Sequence, residues 1–241
     1  MLNVHSIESL GTYDGPGIRL VIFLQGCNFK CLYCANPDTI AYEGGKTYAV
    51  DDLVQMAERQ RPFFGKKGGV TVSGGEPLMQ AKGLIELFSQ LKLKGFNTCI
   101  DTNGGILTST TKELMAHTDL VLLDIKHIDK AQHMKLTGMS NERTMAFAAY
   151  LAEINQPTWI RYVLVPGYSD APADLHALGQ HLSGMKNVEK LEIQPYHKLG
   201  VHKYESLGWK YALTDVPSNT LEQLDKARKI FESYVKEVVV N

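Results

Sequence analysis

Three cysteines, Cys27, Cys31 and Cys34, lie within one short run of this 241-residue chain. Cysteine thiolates hold iron–sulfur clusters, and a cluster normally takes four of them. A triplet with this spacing therefore has one thiolate fewer than a four-iron cluster has irons. We expect a four-iron four-sulfur cluster on this loop, with one iron left for a ligand that is not protein.

The chain contains one further cysteine, Cys99, which is a less suitable ligand. It stands between Thr98 and Ile100 in a run that reads as a buried strand, and free cysteine is among the residues most often buried. We therefore predict that Cys99 is a core residue rather than a fourth cluster ligand.

Zinc and disulfide bonds are the alternative uses of the triplet. One of the eight histidines could complete a zinc site, although structural zinc usually takes two short ligand pairs rather than one run of three. A disulfide framework is disfavoured, because four cysteines cannot hold a chain of this length together and no secretory signal is recognisable.

Composition limits the classes of function that fit. Hydrophobic residues make up 44% and charged residues 21% of the chain, which is typical of a globular protein with a substantial core. The formal charge of -1 gives no electrostatic reason to expect a nucleic-acid or membrane partner. No apolar run approaches the length of a membrane span. We expect a cytoplasmic protein, in a compartment whose reducing conditions preserve thiolates.

Short β-branched runs alternate with helical patterns along the whole chain. Nearly continuous apolar strands are typical of a parallel sheet covered by helices, and short links between strand and helix predict right-handed βαβ units. Six such units predict an α/β fold in one domain, residues 1–241, built as an incomplete (βα)6 parallel barrel. The predicted strands are 19–24, 69–73, 97–101, 119–124, 158–165 and 188–193, and the predicted helices are 51–59, 78–94, 110–117, 143–154, 171–182 and 219–235.

Two further expectations concern the segments between and within these units. The second helix carries Leu84, Leu87, Phe88 and Leu91 at helical spacing, a stripe that we assign to the core. The longest segment without a clear element, residues 36–50, is predicted to be a surface loop.

Residues able to do chemistry follow every predicted strand at the same end. The carboxyl-terminal ends of parallel barrel strands form the active-site face, so we expect these residues to share one face. They are Gln25, Gly26 and the cysteines, then Ser73 to Pro77, Asp101 to Gly104, Asp124 to Lys126, Val165 to Gly167, and Gln194 to His197.

The glycine pair Gly74-Gly75 has two readings. Without a Cβ, it can bring backbone carbonyls close to a ligand such as an ammonium group, or it can simply form a tight turn. Its position directly after a strand and before Glu76 favours the ligand.

Asp101 and Asp124 end neighbouring predicted strands, where two carboxylates are costly without a cation. A small hard-cation site is one solution. An ion pair between Asp124 and Lys126 is the other.

Two histidines follow the last predicted strand. His197 is either a ligand or a hydrogen-bonded core residue, whereas His202 is expected to be exposed to solvent.

The motifs together resemble a known family. Gly-Pro-Gly-Ile-Arg at 15–19 precedes Phe23, Gly26, the cysteine triplet and Asn36. Gly-Gly-Glu-Pro, Asp-Thr-Asn-Gly, Leu-Asp-Ile-Lys, Trp-Ile-Arg-Tyr-Val, Val-Pro-Gly-Tyr-Ser-Asp and Pro-Tyr-His-Lys-Leu-Gly follow in order. This set, which covers nearly the whole chain, resembles the radical S-adenosylmethionine (SAM) enzymes that activate glycyl radical enzymes.

The resemblance implies a radical SAM fold, with the cluster loop at 26–36, and a set of ligands. The amino and carboxylate groups of SAM would chelate the free iron, and a monovalent cation, sodium or potassium, would lie beside the carboxylate. Asp14 would face the protein substrate, and we expect its surface loop, residues 14–17, beside the cluster loop at the carboxyl-terminal ends of the strands. The implied cluster ligands are Cys27, Cys31 and Cys34; the implied SAM contacts are Tyr33, Cys34, Ala35, Gly74, Gly75, Glu76, Asp124, Ile125, Lys126 and His197; and the implied cation ligands are Asp101, Thr102, Leu122 and Asp124.

The implied activity is reductive cleavage of SAM to a 5'-deoxyadenosyl radical, which removes hydrogen from a glycine Cα. The implied partners are the glycyl radical loop of pyruvate formate-lyase and a one-electron donor such as flavodoxin or ferredoxin. Because the cofactors carry the chemistry, no residue is assigned as a general acid or base.

Two departures from the family pattern refine this interpretation. Many relatives have histidine after the third cysteine, whereas this chain has Ala35, so an adenine contact from that position has to come from the backbone. Other activators carry a ferredoxin-like insert with additional cysteines, and this chain has only Cys99 beyond the triplet.

Two other functions remain open from the sequence. One is a radical SAM enzyme acting on a small molecule, such as a modified-nucleoside precursor, since a closed pocket could replace a site for a mobile loop. The other is a zinc-binding interaction module without catalysis.

Overall fold

The computed structural model describes residues 1–241 and contains nine β-strands and eight α-helices. The strands are β1 Leu2–Gly11, β2 Arg19–Leu24, β3 Lys46–Tyr48, β4 Gly69–Gly74, β5 Asn97–Thr102, β6 Leu120–Asp124, β7 Thr158–Leu164, β8 Val188–Pro195 and β9 Val238–Val240. The helices are α1 Val50–Phe64, α2 Ala81–Leu93, α3 Ser109–Met115, α4 Lys130–Thr137, α5 Glu142–Glu153, α6 Pro172–Ser183, α7 Val201–Ser206 and α8 Leu221–Glu232. Short 3-10 turns cover Pro37–Thr39 and Pro77–Gln80.

The strands follow the hydrogen-bonded order β3-β1-β2-β4-β5-β6-β7-β8-β9, and the order does not close on itself. The pairs β2–β4, β4–β5, β7–β8 and β8–β9 are parallel, whereas β1 runs antiparallel to both β2 and β3. All six predicted strands are present and stand in sequence order. The predicted α/β fold with an incomplete parallel barrel is thus confirmed.

Two compact units divide the chain. The first comprises Met1–Asn28 and Thr39–Leu122, and the second comprises Phe29–Asp38 and Leu123–Asn241. The chain passes from the first unit to the second inside the cysteine run, after Asn28. The assignment of residues 1–241 to a single domain stays a prediction.

The helix stripe in the first unit is core, as predicted. Leu84, Leu87, Phe88 and Leu91 of α2 are fully buried. The predicted helix 78–94 is divided, however, because Gln80 leaves the helical region and separates the 3-10 turn from α2. No helix of the chain is long and apolar enough to cross a membrane.

The prediction of a loop at residues 36–50 is wrong in part. This segment contains the turn Pro37–Thr39 and the short strand β3, which pairs with β1. The sequence reasoning also missed β1, β9, α4 and α7. The first is an antiparallel strand outside the βα pattern, and the others are at most eight residues long, too short for a clear period.

The second unit contains one missed element with clear boundary signals. Asp129 caps α4 by accepting a hydrogen bond from the Gln132 N–H, and Gly138 ends the helix in the left-handed conformation. Acidic N-caps and glycine after the last turn are common helix boundaries. The last turn of this helix supports the cysteine loop.

A buried arginine organises the amino-terminal ends of β2, β4 and β5 in the first unit. Arg19 is fully buried, and its guanidinium donates hydrogen bonds to Thr71 Oγ1 at 2.9 Å, Asn97 Oδ1 at 2.8 Å and the Val70 carbonyl at 2.8 Å. Burial lowers the pKa of this guanidinium. The hydrogen bonds compensate for the lost hydration.

Replacing the guanidinium fork should therefore destabilise the protein. We expect Arg19→Lys to lower the free energy of unfolding by about 2–4 kcal/mol, since one ammonium cannot satisfy all of these buried acceptors. Urea denaturation measures the change. Arg228→Lys, on the exposed face of α8, is the control and should leave the midpoint near that of the wild type. Equal midpoints for the two variants would contradict this role of Arg19.

Candidate active site

The glycine pair that follows β4 packs directly on the backbone that enters the cysteine loop. A Cβ on Gly75 would lie 2.0 Å from the Gly26 carbonyl oxygen, and one on Gly74 would lie 2.2 Å from the Leu24 nitrogen. The Gly75 and Glu76 N–H groups donate to the carbonyls of Leu24 and Gly26 at 2.9 and 2.7 Å. Only glycine permits this approach, so the Gly74-Gly75 pair fixes the start of the cysteine loop.

The Glu76 side chain is fully buried and is committed to hydrogen bonds within the protein. One carboxylate oxygen accepts from the Leu78 N–H at 2.9 Å and from Thr102 Oγ1 at 2.6 Å, and the other accepts from the Asn103 N–H at 2.8 Å. Burial raises the pKa of Glu76 to about 7, against the opposing effect of these hydrogen bonds. The carboxylate thus connects the glycine turn to the end of β5.

The end of β5 presents the predicted acidic residue. Asp101 Oδ2 accepts a hydrogen bond from Ser73 Oγ at 2.8 Å. The neighbouring Thr102 is buried, with its hydroxyl donating to Glu76 and accepting from the Gly104 N–H at 3.0 Å. Leu122, another predicted cation ligand, has a fully buried side chain, so only its backbone could serve a ligand.

Asn103 is a site residue that sequence reasoning quoted in a motif but did not assign. Its Nδ2 lies 2.9 Å from Asn28 Oδ1 and 3.9 Å from Cys27 Sγ. Its position two residues after the end of the predicted strand 97–101 was the available signal. The side chain thus links the end of β5 to the first cysteine.

The entry of the cysteine loop is held by backbone hydrogen bonds within the first unit. The Gly26 N–H donates to the Thr39 carbonyl at 2.8 Å, and the Cys27 N–H donates to the Ile40 carbonyl at 3.1 Å. The segment that follows the cysteines in sequence therefore returns alongside the segment that precedes them.

The last turn of α4 holds the middle of the loop in the second unit. The Lys30 N–H donates to the Thr137 carbonyl, and the Leu32 N–H to the Leu136 carbonyl, both at 2.9 Å. Carbonyls in the last turn of a helix have no partner within the helix. The cysteine loop satisfies them and is fixed on both sides of Cys31.

The exit of the loop packs against α7 and the segment before it. Lys203 Nζ contacts Asn36 Oδ1 at 2.7 Å and Asp38 at 3.1 Å. A Cβ on Gly200 would lie 2.5 Å from the Ala35 carbonyl oxygen, so glycine is required there as well. The predicted backbone role of Ala35 is compatible with this contact.

The histidine expectations have different outcomes. His197 is exposed, with Nδ1 accepting from the Leu199 N–H at 3.3 Å, so the alternative of a core histidine is wrong. His202 is exposed as predicted.

The Asp124–Lys126 ion pair is present in the second unit, with Nζ and Oδ2 2.7 Å apart. Burial is the largest single influence and lowers the pKa of Lys126, but the Asp124 carboxylate, Tyr33 and Cys31 together outweigh it and raise that pKa. The same ammonium lies 5.7 Å from the ring centre of Tyr33, whose buried hydroxyl has no hydrogen-bond partner. Ile125, between the two charged residues, is fully buried and donates its N–H to the Arg161 carbonyl.

The loop that contains Asp14 lies at the opposite end of the strands from the one we expected. Its backbone carbonyl accepts from Thr71 Oγ1 at 2.6 Å, and a Cβ on Gly17 would lie 2.6 Å from the Gly68 nitrogen. Gly68 precedes β4, so these contacts place the loop near the amino-terminal ends of the strands. The loop runs straight into β2, whose first residue is Arg19, which explains the difference.

None of the four cysteines forms a disulfide bond. Burial raises the pKa of Cys31 to about 12, and burial also raises that of Cys34. Such thiols keep their protons at neutral pH unless a metal displaces them. Cys99 is fully buried in β5, and its Sγ would lie 3.4 Å from a Cβ on Gly15, so the prediction of a core residue is confirmed.

The donor set fits a cluster better than a single ion. As they stand, no three histidine, cysteine, aspartate or glutamate side chains gather closely enough to hold one metal ion, the three loop cysteines included, whereas a cluster takes one thiolate at each of three irons. The three thiols of the cysteine loop match the cluster's need for cysteine ligands. The unpartnered Tyr33 hydroxyl offers one polar contact to a bound cofactor.

Comparison with known proteins defines the class. The family model described as the radical SAM superfamily matches residues 21–178. Pyruvate formate-lyase-activating enzymes of Staphylococcus aureus, from strains USA300 and NCTC 8325, are 51% identical over 222 residues, which cover 89% of this chain and 88% of theirs.

Solved structures agree on the fold. A domain of pyruvate-formate lyase-activating enzyme from Bacteroides vulgatus is similar with a TM-score of 0.62 and 23% identity, over 72% of this chain and 99% of that one. Streptococcus suis SuiB bound to its precursor peptide gives a TM-score of 0.70 at 18% identity, over 92% of this chain and 48% of that one. The chain belongs to the radical SAM superfamily and, within it, to the family of pyruvate formate-lyase-activating enzymes.

The site predicts which cysteine is needed for iron. Anaerobically reconstituted protein should bind about four irons per chain. Cys31→Ala should lose the cluster, because Cys31 lies on the braced loop, whereas Cys99→Ala should keep it. Iron analysis and the visible absorption spectrum measure both variants. Equal iron content in the two variants would contradict the assignment.

Proposed function

We propose that this chain activates pyruvate formate-lyase by forming a radical on a glycine of that enzyme. The observation that supports this most is the braced three-cysteine loop in a chain 51% identical to enzymes named for that activation. When bound, the cluster and SAM supply the reductive cleavage that yields a 5'-deoxyadenosyl radical able to remove hydrogen from a glycine Cα. The alternative, a small-molecule substrate, has no comparable support.

The chain's contribution is to hold and orient the cofactors. Cys27, Cys31 and Cys34 would hold the cluster. The loop is fixed before the first cysteine by Thr39 and Ile40 and on both sides of the second by α4. These contacts restrict the backbone that carries the thiols. Pre-organisation of this kind lowers the cost of binding.

The SAM contacts divide into groups that would touch the cofactor and groups that would position others. Tyr33 would contact the cofactor through its unpartnered hydroxyl. Cys34 and Ala35 would do so through their backbone atoms. Gly74 and Gly75 would form a turn whose lack of side chains lets the cofactor approach. The Glu76 carboxylate already accepts three hydrogen bonds from within the protein. We therefore assign it a positioning role instead of a direct contact.

The remaining contacts come from the second unit. Lys126 balances Asp124 and presents a cation next to Tyr33. Ile125 would contribute apolar surface or a backbone group. The exposed His197 would contribute its ring, and it lies at the start of the segment that packs on Ala35. None of these groups is required as an acid or base.

A monovalent cation beside the SAM carboxylate is part of the proposal. Its ligands would be the Asp101 and Asp124 carboxylates together with Thr102 and Leu122. Because the Thr102 hydroxyl donates to Glu76 and Leu122 has no polar side chain, both would use carbonyl oxygens. SAM should then bind more weakly when sodium and potassium are replaced by a bulky organic cation at fixed ionic strength. Unchanged affinity, measured by calorimetry, would remove the cation from the proposal.

The reaction also requires a one-electron donor such as flavodoxin or ferredoxin as a partner, because each cleavage of SAM consumes one electron. We place the reaction in the cytoplasm, where reducing conditions preserve thiolates. The near-neutral charge of the chain supports a protein partner over nucleic acid.

The direct test is the glycyl radical. Reconstituted protein, incubated anaerobically with SAM, a chemical reductant and purified pyruvate formate-lyase, should give the glycyl signal in electron paramagnetic resonance. A loaded cluster that cleaves SAM without producing that signal would contradict the proposal.

Asp14 refines this test. Its carbonyl, not its side chain, accepts the hydrogen bond from Thr71, so Asp14→Ala should preserve the loop, the cluster and SAM binding. We expect the radical yield to fall roughly tenfold or more, since hydrogen transfer needs close positioning of the glycine. Asp52→Ala, an exposed position on α1, is the control. Wild-type yield from Asp14→Ala at limiting lyase would exclude Asp14 from docking.

A further inference from the structure

The Asn103 carboxamide is placed to act on the first cluster ligand. Its Nδ2 lies 3.9 Å from Cys27 Sγ, a long contact but within reach of a large sulfur atom, and 2.9 Å from Asn28 Oδ1. An amide nitrogen carries two hydrogens. One can therefore point to the Asn28 oxygen while the other points to the cysteine sulfur.

The orientation of this amide is fixed by its other atoms. Asn103 Oδ1 accepts a hydrogen bond from the Gly105 N–H at 2.8 Å, which only an oxygen can do. The amide nitrogen therefore faces Cys27. The backbone N–H of the same residue donates to the buried Glu76 carboxylate at 2.8 Å, which fixes the residue itself.

We infer that the Asn103 amide donates a hydrogen bond to the Cys27 thiolate and thereby raises the reduction potential of the cluster. The inference rests on the proposed cluster site. A reduced cluster carries one more negative charge, so a donor aimed at a ligand sulfur stabilises the reduced state more than the oxidised state. Hydrogen bonds to cluster sulfurs are a recognised determinant of potential. Asn103 is therefore a positioning residue that acts on the cluster through its ligand Cys27 and does not touch the substrate.

The neighbouring contacts argue for a specific role of the side chain. Thr102 and Glu76 already connect β5 to the glycine turn without the Asn103 amide. The amide nitrogen contacts Asn28 and Cys27, so loss of this donor should alter the sulfur environment before it alters the fold.

Variants of Asn103 test the inference through the potential itself. Asn103→Asp keeps the shape and the oxygen that accepts from Gly105 but replaces the donor with a carboxylate. Asn103→Leu removes the donor without adding charge, and it also removes the acceptor of the Gly105 N–H. In a redox titration of reconstituted protein, both should shift the cluster to lower potential. At a fixed ambient potential the reduced-to-oxidised ratio should fall roughly three- to tenfold in Asn103→Leu, since only part of a charge-assisted hydrogen bond differs between the two states.

Two control variants separate tuning from structure. Asn28→Ala removes the other acceptor but leaves the Asn103 donor, so its potential should stay at the wild-type value. Asn187 is a buried asparagine of the second unit that donates to the Gln156 carbonyl and to Thr158 Oγ1. Asn187→Leu should lower stability and leave the potential unchanged.

The outcomes discriminate between the inference and the proposed function. Full iron content with an unchanged potential in either Asn103 variant would overturn the inference and leave the activase proposal intact. A shift of the same size in Asn28→Ala or Asn187→Leu would also overturn it. Loss of iron from both Asn103 variants but from neither control would overturn tuning and make the amide a structural support. Wild-type protein that takes up no iron would instead contradict the proposed function.

Discussion

The buried carboxylate of Glu76 is the interaction on which the first unit's part of the site depends. Its two oxygens accept hydrogen bonds from the Leu78 N–H just after the glycine turn, from the Thr102 hydroxyl and from the Asn103 N–H. Through these bonds, the end of β4 and the end of β5 are held as one piece. The Glu76 N–H also donates to the Gly26 carbonyl, which brings the start of the cysteine loop into the same piece. A buried carboxylate is costly unless it is fully hydrogen-bonded, so the turn, the strand end and the loop entry are mutually constrained.

Close backbone contacts at glycine extend this constraint along the loop. Gly75 approaches Gly26 before the first cysteine, and Gly200 approaches Ala35 after the third. Between them, α4 offers its terminal carbonyls to Lys30 and Leu32. The loop is therefore held by backbone atoms along its length, which leaves the thiols to bind metal. This arrangement suits a cofactor that brings its own chemistry and needs the protein chiefly for position.

The sequence predicted the features that have a strong local signal. The six apolar strands, the α2 stripe and the buried Cys99 were all read from residue type and spacing, and the structure contains them. The supports of the loop could not be found in the same way, because α4 has no apolar period and is marked only by Asp129 and Gly138 at its ends. Glu76 was expected at the cofactor, since sequence shows a carboxylate after a glycine pair but not the three donors that surround it. The Asp14 loop was expected at the wrong end of the strands, because nearness to the cysteines in sequence was taken as nearness in space.

In the proposed reaction, a hydrogen atom moves from a glycine Cα of pyruvate formate-lyase to the 5' carbon of the adenosyl group of SAM. Isotope transfer tests it most directly. Pyruvate formate-lyase prepared with glycine deuterated at Cα is incubated with the reconstituted protein, SAM and reductant, and the 5'-deoxyadenosine formed is analysed by mass spectrometry. We expect one deuterium in the 5'-deoxyadenosine, formed in step with the glycyl radical. Product that forms at the same rate without deuterium would contradict it.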